Sequence, residues 1–281
     1  MKATPPLPKP GRTVLDRAAR AATFGWSDTA AGRLSLRHGL RRLVRVPLRM
    51  RCQALPARAV SSALVIAPHP DDETFGCGGT VAHLVRAGAT VDIAFVTDGS
   101  ASHPNHPEVD PFSLATLRRK EARLATEILG VDGSRLWFLD ESDGKLSDLE
   151  TGRAHRTAAK LAGLLTRITP EAVLHPCRID GSSEHDASFE LVSHALRETG
   201  VSPRLLEFPV WSWWNPLRLL PPLLTYRRVW RLDLRAVIAI KERAIAAYAS
   251  QTTPLSPETT AALPPGFASF FLGPEEFLFE R

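Results

Sequence analysis

From residue 62 to residue 208, short apolar runs alternate with longer stretches of helical periodicity, and this alternation narrows the fold more than any other feature of the chain. Residues 63–67, 90–97, 135–139, 172–175 and 204–208 read as strands, being short and rich in β-branched, aromatic and aliphatic residues. Between them, residues 78–87, 114–129, 155–168 and 186–198 place apolar residues at helical spacing, with Gly130 and Gly200 positioned as stops. Strands that alternate with helices pair in parallel through crossovers. The expected fold is therefore α/β, a three-layer α/β/α sandwich around a mostly parallel, Rossmann-like sheet. After it come Trp211, Trp213 and Trp214, a Pro-rich apolar loop over 217–224, a strand at 229–232 and a helix over 236–249.

Charge divides the chain differently. Residues 1–60 hold 13 Lys/Arg against only Asp16 and Asp28, so that segment carries +11 and the remainder −6 of the overall +5. We expect residues 1–60 to form a basic, Pro/Arg-rich N-terminal extension, and residues 61–281 one domain with a C-terminal extension. Residues 33–51 interleave seven arginines with Leu, Val and Met and contain no acid. Such a segment either meets an anionic surface, as phospholipid headgroups offer, or packs its leucines on the body as a solvated basic extension. Pro47 is expected to interrupt any long helix there, and residues 1–12, with Pro5, Pro6, Pro8 and Pro10, to be disordered. Cys52, Cys77 and Cys177 are too scattered for a disulfide framework. With neither a secretory h-region nor a run of about 18 apolar residues, the expectation is a cytoplasmic protein, peripheral at the inner membrane face if the arm binds there. No nucleic-acid partner is expected.

The chemistry concentrates at His69-Pro70-Asp71-Asp72-Glu73, which begins two residues after the first strand and precedes Gly76-Cys77-Gly78-Gly79. Open parallel sheets bind ligands beyond the carboxyl ends of their strands. An imidazole and three acids crowded beside apolar sequence repel or protonate one another unless a cation holds them, and a divalent metal resolves the conflict. In a tight turn His69 and Asp72, three apart, reach one ion while Asp71 points elsewhere. Nitrogen and oxygen ligation in a hydrolytic site favours Zn2+, with another divalent metal as the alternative. A third ligand is expected from the loop after the fourth strand, 180–186, where His185 is the candidate.

Several of these segments together resemble the PIG-L or LmbE-like N-acetylglucosaminide deacetylases. The resemblance rests on a strand followed by PHPDDE, then Arg118-x-x-Glu121-x-x-x-Ala125 leading to Leu129-Gly130-Val131, Asp143-Gly144, a distal loop with His185, and Lys241 through Tyr248-Ala249-Ser250-Gln251. It covers residues 62–251. It implies that His69, Asp72 and His185 bind zinc, that Asp71 is the general base, that Arg118 contacts the sugar, and that the reaction removes acetyl from a 2-acetamido sugar conjugate, lipid-linked or otherwise. Glu73 is expected to orient a ligand. One departure stands out: many members read HPDH in the distal loop, the first histidine aiding the oxyanion, whereas Ser182 occupies that position here. Losing one such donor costs roughly a hundredfold or more in other enzymes.

Two other functions compete with the deacetylase. A metal-containing sugar-binding or scaffold protein of the same fold, weakened in catalysis, follows from the Ser182 departure. A dinucleotide-binding enzyme follows from Gly76-x-Gly78, against which stand Val81 at the third glycine position and three acids just upstream.

Overall fold

The computed structural model describes residues 30–281 except 57, 59, 105, 107, 108, 150 and 257–259, together with the backbone but not the side chain of Thr151. Residues 1–12 lie outside the described residues.

An eight-stranded sheet runs through the molecule in the order β1-β7-β8-β6-β5-β2-β3-β4. Its parallel core is built from β2 (Ser62–Ala67), β3 (Thr90–Thr97), β4 (Leu136–Glu141), β5 (Ala172–Pro176) and β6 (Arg204–Phe208). Alternate residues of β2 enter opposite cores. Ala63, Val65 and Ala67 face α2 (Asp72–Arg86), α3 (Pro111–Ile128) and α8 (Ile238–Ala247), whereas Leu64 and Ile66 face α4 (Thr151–Ile168) and α5 (Ser183–Thr199). Burial on both faces is why these strands read as nearly continuous apolar runs. The three-layer sandwich expected from the sequence is the observed fold.

The chain leaves β2 for β3 and β4 on one side of the sheet, then returns to place β5 and β6 on the other. The carboxyl ends of β2 and β5, paired through Val65 and Leu174, therefore flank a topological switch point, where diverging loops leave a crevice. His69 follows β2 and the 180–185 loop follows β5, so topology alone brings them together.

Three features differ from the sequence expectations. β8 (Glu275–Glu280) was not foreseen; it runs antiparallel between β6 and β7 (Arg228–Asp233), and β7 in turn pairs with the two-residue β1 (Gln53–Ala54). α1 spans Ala30–Arg51 and continues through Pro47. The carbonyl of Leu43, which a proline four residues later deprives of its donor, belongs to a residue exposed to solvent. The apolar segment over 217–224 is not a plain loop, for a 3-10 turn (Pro216–Leu219) precedes α7 (Pro222–Thr225), following α6 (Trp211–Trp214). Val44 and Leu48 of α1 are buried against the body.

Candidate metal centre and active site

α2 begins at Asp72, six residues earlier than periodicity suggests, and is kinked at Cys77 (φ −139°, ψ 19°). Its glycines have packing reasons. A Cβ on Gly76 would stand 2.1 Å from the Phe208 ring. Past the kink, Glu276 of β8 accepts hydrogen bonds from Gly79 N (2.8 Å), Thr80 N (2.7 Å) and Thr80 Oγ1 (2.7 Å). Lys241 of α8 pairs with the same carboxylate at 2.5 Å and donates to the Phe75 carbonyl at 2.8 Å. The amides that a dinucleotide phosphate would need are thus engaged by a carboxylate, which removes the basis of the dinucleotide reading.

Ahead of the helix, Asp71 adopts φ +141°. This is a conformation that side chains rarely accept and that costs roughly 1–3 kcal/mol where it persists. The turn turns its carboxylate away from Asp72 and toward Arg118, whose Nη2 lies 3.0 Å from Asp71 Oδ2. Arg118 is buried and also donates to the carbonyls of Gly99 and Pro70. Gly99 has φ +71°, and a Cβ there would come within 2.7 Å of the guanidinium. Burial pushes the Asp71 carboxyl up to about 7, with Arg118 opposing the rise.

Asp72 Oδ2 stands 3.0 Å from His69 Nδ1 and 3.3 Å from His185 Nε2. The fully buried His185 Nε2 has no hydrogen-bond partner, while its Nδ1 is held 2.9 Å from Asp180 Oδ2. An orphaned imidazole nitrogen aimed at a carboxylate, with a second imidazole on the same oxygen, is the donor set a divalent cation requires. The donor atoms of His69, Asp72 and His185 all lie within 4.8 Å of one another. The three ligands expected from the sequence are brought together.

Sequence reasoning missed the acids around these three residues; two of those acids, Asp143 and Glu184, form with His69 a second group close enough to hold an ion. Asp180, fully enclosed, accepts from Val210 N, Trp211 N, Ser212 N and Ser212 Oγ besides His185, which fixes both its own position and the ring's. Glu184 Oε2 lies 2.6 Å from His69 Nε2, and Asp143 Oδ1 lies 3.3 Å from the same nitrogen. Such carboxylates orient ligand imidazoles, and losing one typically weakens metal binding 10–100-fold. Asp180→Asn should therefore weaken zinc binding about 10–100-fold, measured by competition with a chromogenic chelator. The Asp143-Gly144 pair and the two acids in the His185 loop were visible in the sequence, but no spacing rule says which acid turns inward.

Burial opposes the protonated forms of both histidines, yet the surrounding carboxylates outweigh it. His69 sits well above its ordinary value through Asp143, Asp72 and Glu184, and His185 rises to about 9 through Asp72 and Asp180. A divalent ion held by these imidazoles would have to displace the protons. Zinc binding at pH 7.5 should thus release protons, visible as a calorimetric enthalpy that depends on buffer ionisation, and affinity should climb with pH up to about 9. In the metal-free protein the His185 contribution to stability is fully present below about 6.5 and is lost as pH rises through about 9.

Glu73 supports Asp71 rather than His69, Asp72 or His185. Its Oε2 accepts from Asp71 N at 3.1 Å and its Oε1 from Tyr248 OH at 2.6 Å, and burial raises its carboxyl to about 7. Ser182 caps α5, its Oγ accepting from His185 N at 3.4 Å. His175 is buried on β5 against Phe189. Glu121 accepts from Ser250 N and Oγ at 2.7 and 2.6 Å, placing the adjacent Gln251 in the pocket wall. That pocket, about 240 Å³, is lined by His69, Asp71, Asp72 and Arg118 on its polar side and by Phe75, Trp211, Leu263 and Phe267 on its apolar side.

Residues 64–196 match the PIG-L family, described as GlcNAc-PI de-N-acetylase. That stretch, just under half of the chain, is thus a domain of the PIG-L type. It is 27% identical over 201 residues to a diacetylchitobiose deacetylase of Thermococcus kodakarensis, covering 70% of this chain and 72% of that one. Its fold is shared with the N,N'-diacetylchitobiose deacetylase of Pyrococcus horikoshii (TM-score 0.55, 21% identity, 82% and 83% of the two chains). It is shared equally with a 4-carboxy-2-hydroxymuconate hydratase of Pseudomonas putida (TM-score 0.58, 18% identity, 78% and 95%). The fold alone therefore does not choose the reaction.

Proposed function

We propose that this protein is a zinc-dependent N-deacetylase that removes acetyl from a 2-acetamido sugar of the N-acetylglucosamine type. The observation that carries the proposal is the buried donor set His69, Asp72 and His185 with Asp71 turned aside from it, at the wall of one pocket. Support comes from relatives named as deacetylases of GlcNAc conjugates. A divalent ion held by the three ligands would polarise the amide carbonyl and make bound water acidic near neutral pH. Asp71 takes a proton from the attacking water as oxygen bonds to the acetamide carbon. The same carboxyl then returns a proton to the departing nitrogen as the C–N bond breaks, giving acetate and a free amine. Arg118 holds Asp71 in place, and its buried Nε, without a hydrogen-bond partner, is the donor it can offer to a sugar. A reducing, cytoplasmic setting belongs to the same proposal, supported by Cys52, Cys77 and Cys177 all being free thiols.

The test is acetate release from a panel of N-acetylglucosamine conjugates, with chelator and zinc add-back. Release that a chelator abolishes and zinc restores is the expected result; none from any conjugate in the zinc-loaded protein would sink the proposal. A sugar-binding protein without turnover is the second reading, favoured by one observation: the Ser182 hydroxyl is engaged as a helix cap where many family members place an oxyanion donor. It predicts equal sugar affinity in wild type and Asp71→Ala, with acetate from neither.

A further inference from the structure

α1 is amphipathic in an unusual way. Its inner face is anchored: Val44 and Leu48 are buried, the Arg37 guanidinium lies 4.4 Å from the centre of the Trp214 ring, and the His38 ring stacks on Phe270 at 4.3 Å. The opposite face is apolar as well. Leu43, Val46 and Met50, at i, i+3 and i+7, are 68%, 56% and 84% exposed. α1 packs along the 216–219 turn and α7, and the neighbouring Leu224 is 88% exposed. The helix carries seven arginines and no acid, and of these Arg33, Arg42, Arg49 and Arg51 are exposed. Glu275, the carboxylate that meets α1, is already shared among Arg45, Arg49 and Arg231.

We propose that α1 and the adjoining Leu224 turn dock the protein on an anionic phospholipid surface, with Leu43, Val46, Met50 and Leu224 entering the headgroup boundary and the exposed arginines of α1 meeting phosphate. Exposed leucine and methionine are unfavourable in water, and a purely electrostatic partner such as a nucleic acid would leave them there. A bilayer interface takes both chemistries at once, the apolar side chains into its acyl boundary and the guanidinium groups onto its negative charge. No described helix is long and apolar enough to cross a membrane, so the contact is peripheral. The inner face of the docking helix reaches the pocket wall, because a Cβ on Gly266 would strike Leu34 of α1 at 2.6 Å while the next residue, Phe267, lines the pocket.

The experiment is co-sedimentation of the full chain with vesicles of phosphatidylcholine alone and of phosphatidylcholine mixed with phosphatidylglycerol. Binding should grow with the phosphatidylglycerol fraction. It should fall about tenfold or more in the triple variant Leu43→Asp, Val46→Asp, Met50→Asp, whose circular dichroism and zinc binding stay at wild-type level. Three results overturn the proposal. One is absence of binding to the anionic vesicles at low salt. Another is binding that heparin displaces fully and the triple variant retains, which marks a polyanion site. The third is a dimer by light scattering that the triple variant abolishes, which marks a contact between copies of the chain.

Discussion

Asp71→Asn should lower kcat for acetate release by about 10²–10⁴-fold while zinc affinity stays near the wild-type value, the scale expected when a general base is lost. Asparagine is the informative replacement because Asp and Asn tolerate positive φ better than most residues, and Asp71 sits at φ +141°. Alanine would confound lost chemistry with added backbone strain. The amide keeps the shape, can still accept from Arg118, and cannot take a proton from water. Retention of more than about a tenth of the activity would remove Asp71 from the base role. Parallel loss of zinc binding would instead mean that Asp71 belongs to the metal set, which its 3.0 Å pairing with Arg118 argues against.

Lys241→Met should cost about 3–5 kcal/mol, the usual result of leaving a buried carboxylate without its cation. For a chain of this size that is a Tm lower by roughly 6–20 °C, read by calorimetry on the metal-free protein. Glu276 would keep three donors from Gly79 and Thr80 but lose the ammonium 2.5 Å away. The double variant Lys241→Met, Glu276→Gln should recover part of the loss, since a neutral amide tolerates burial better than an uncompensated charge. A single variant as stable as wild type would show that the Gly79 and Thr80 donors alone satisfy Glu276.

The parallel core was legible because burial on both faces writes apolar runs into the sequence; the strands at 90–97 and 204–208 coincide with β3 and β6. β8 was not legible, for a physical reason. In Glu275-Glu276-Phe277-Leu278-Phe279-Glu280 three of six residues are acids that look solvent-bound, and only distant partners make them compatible with a sheet interior. Glu276 finds Lys241, and Glu280 finds Trp230 and Arg204. The early start of α2 was hidden in the same way, since its glycines favour coil until Glu276 caps the turn beyond the kink. The cluster of His69, Asp72 and His185 was readable because side chains suited to a metal stood at strand ends. The acids behind it were not, because Asp180, Glu184 and Asp143 acquire their roles only when the 180–185 loop and the end of β4 meet the turn after β2.

Where Glu276 lies along the chain has a consequence for how the protein is made. Its partners Gly79 and Thr80 precede it by 197 and 196 residues, and synthesis proceeds from the other end. The strands β2 to β6 can find one another while the ribosome is still working, but the helix carrying Asp72 waits for residue 276 before its kink is capped. A nascent chain stalled before β8 should thus hold a recognisable parallel sheet and bind zinc weakly. The turn beside the site would be capped only after residue 276 has emerged, so a late long-range contact, rather than the onset of folding, would complete the pocket wall.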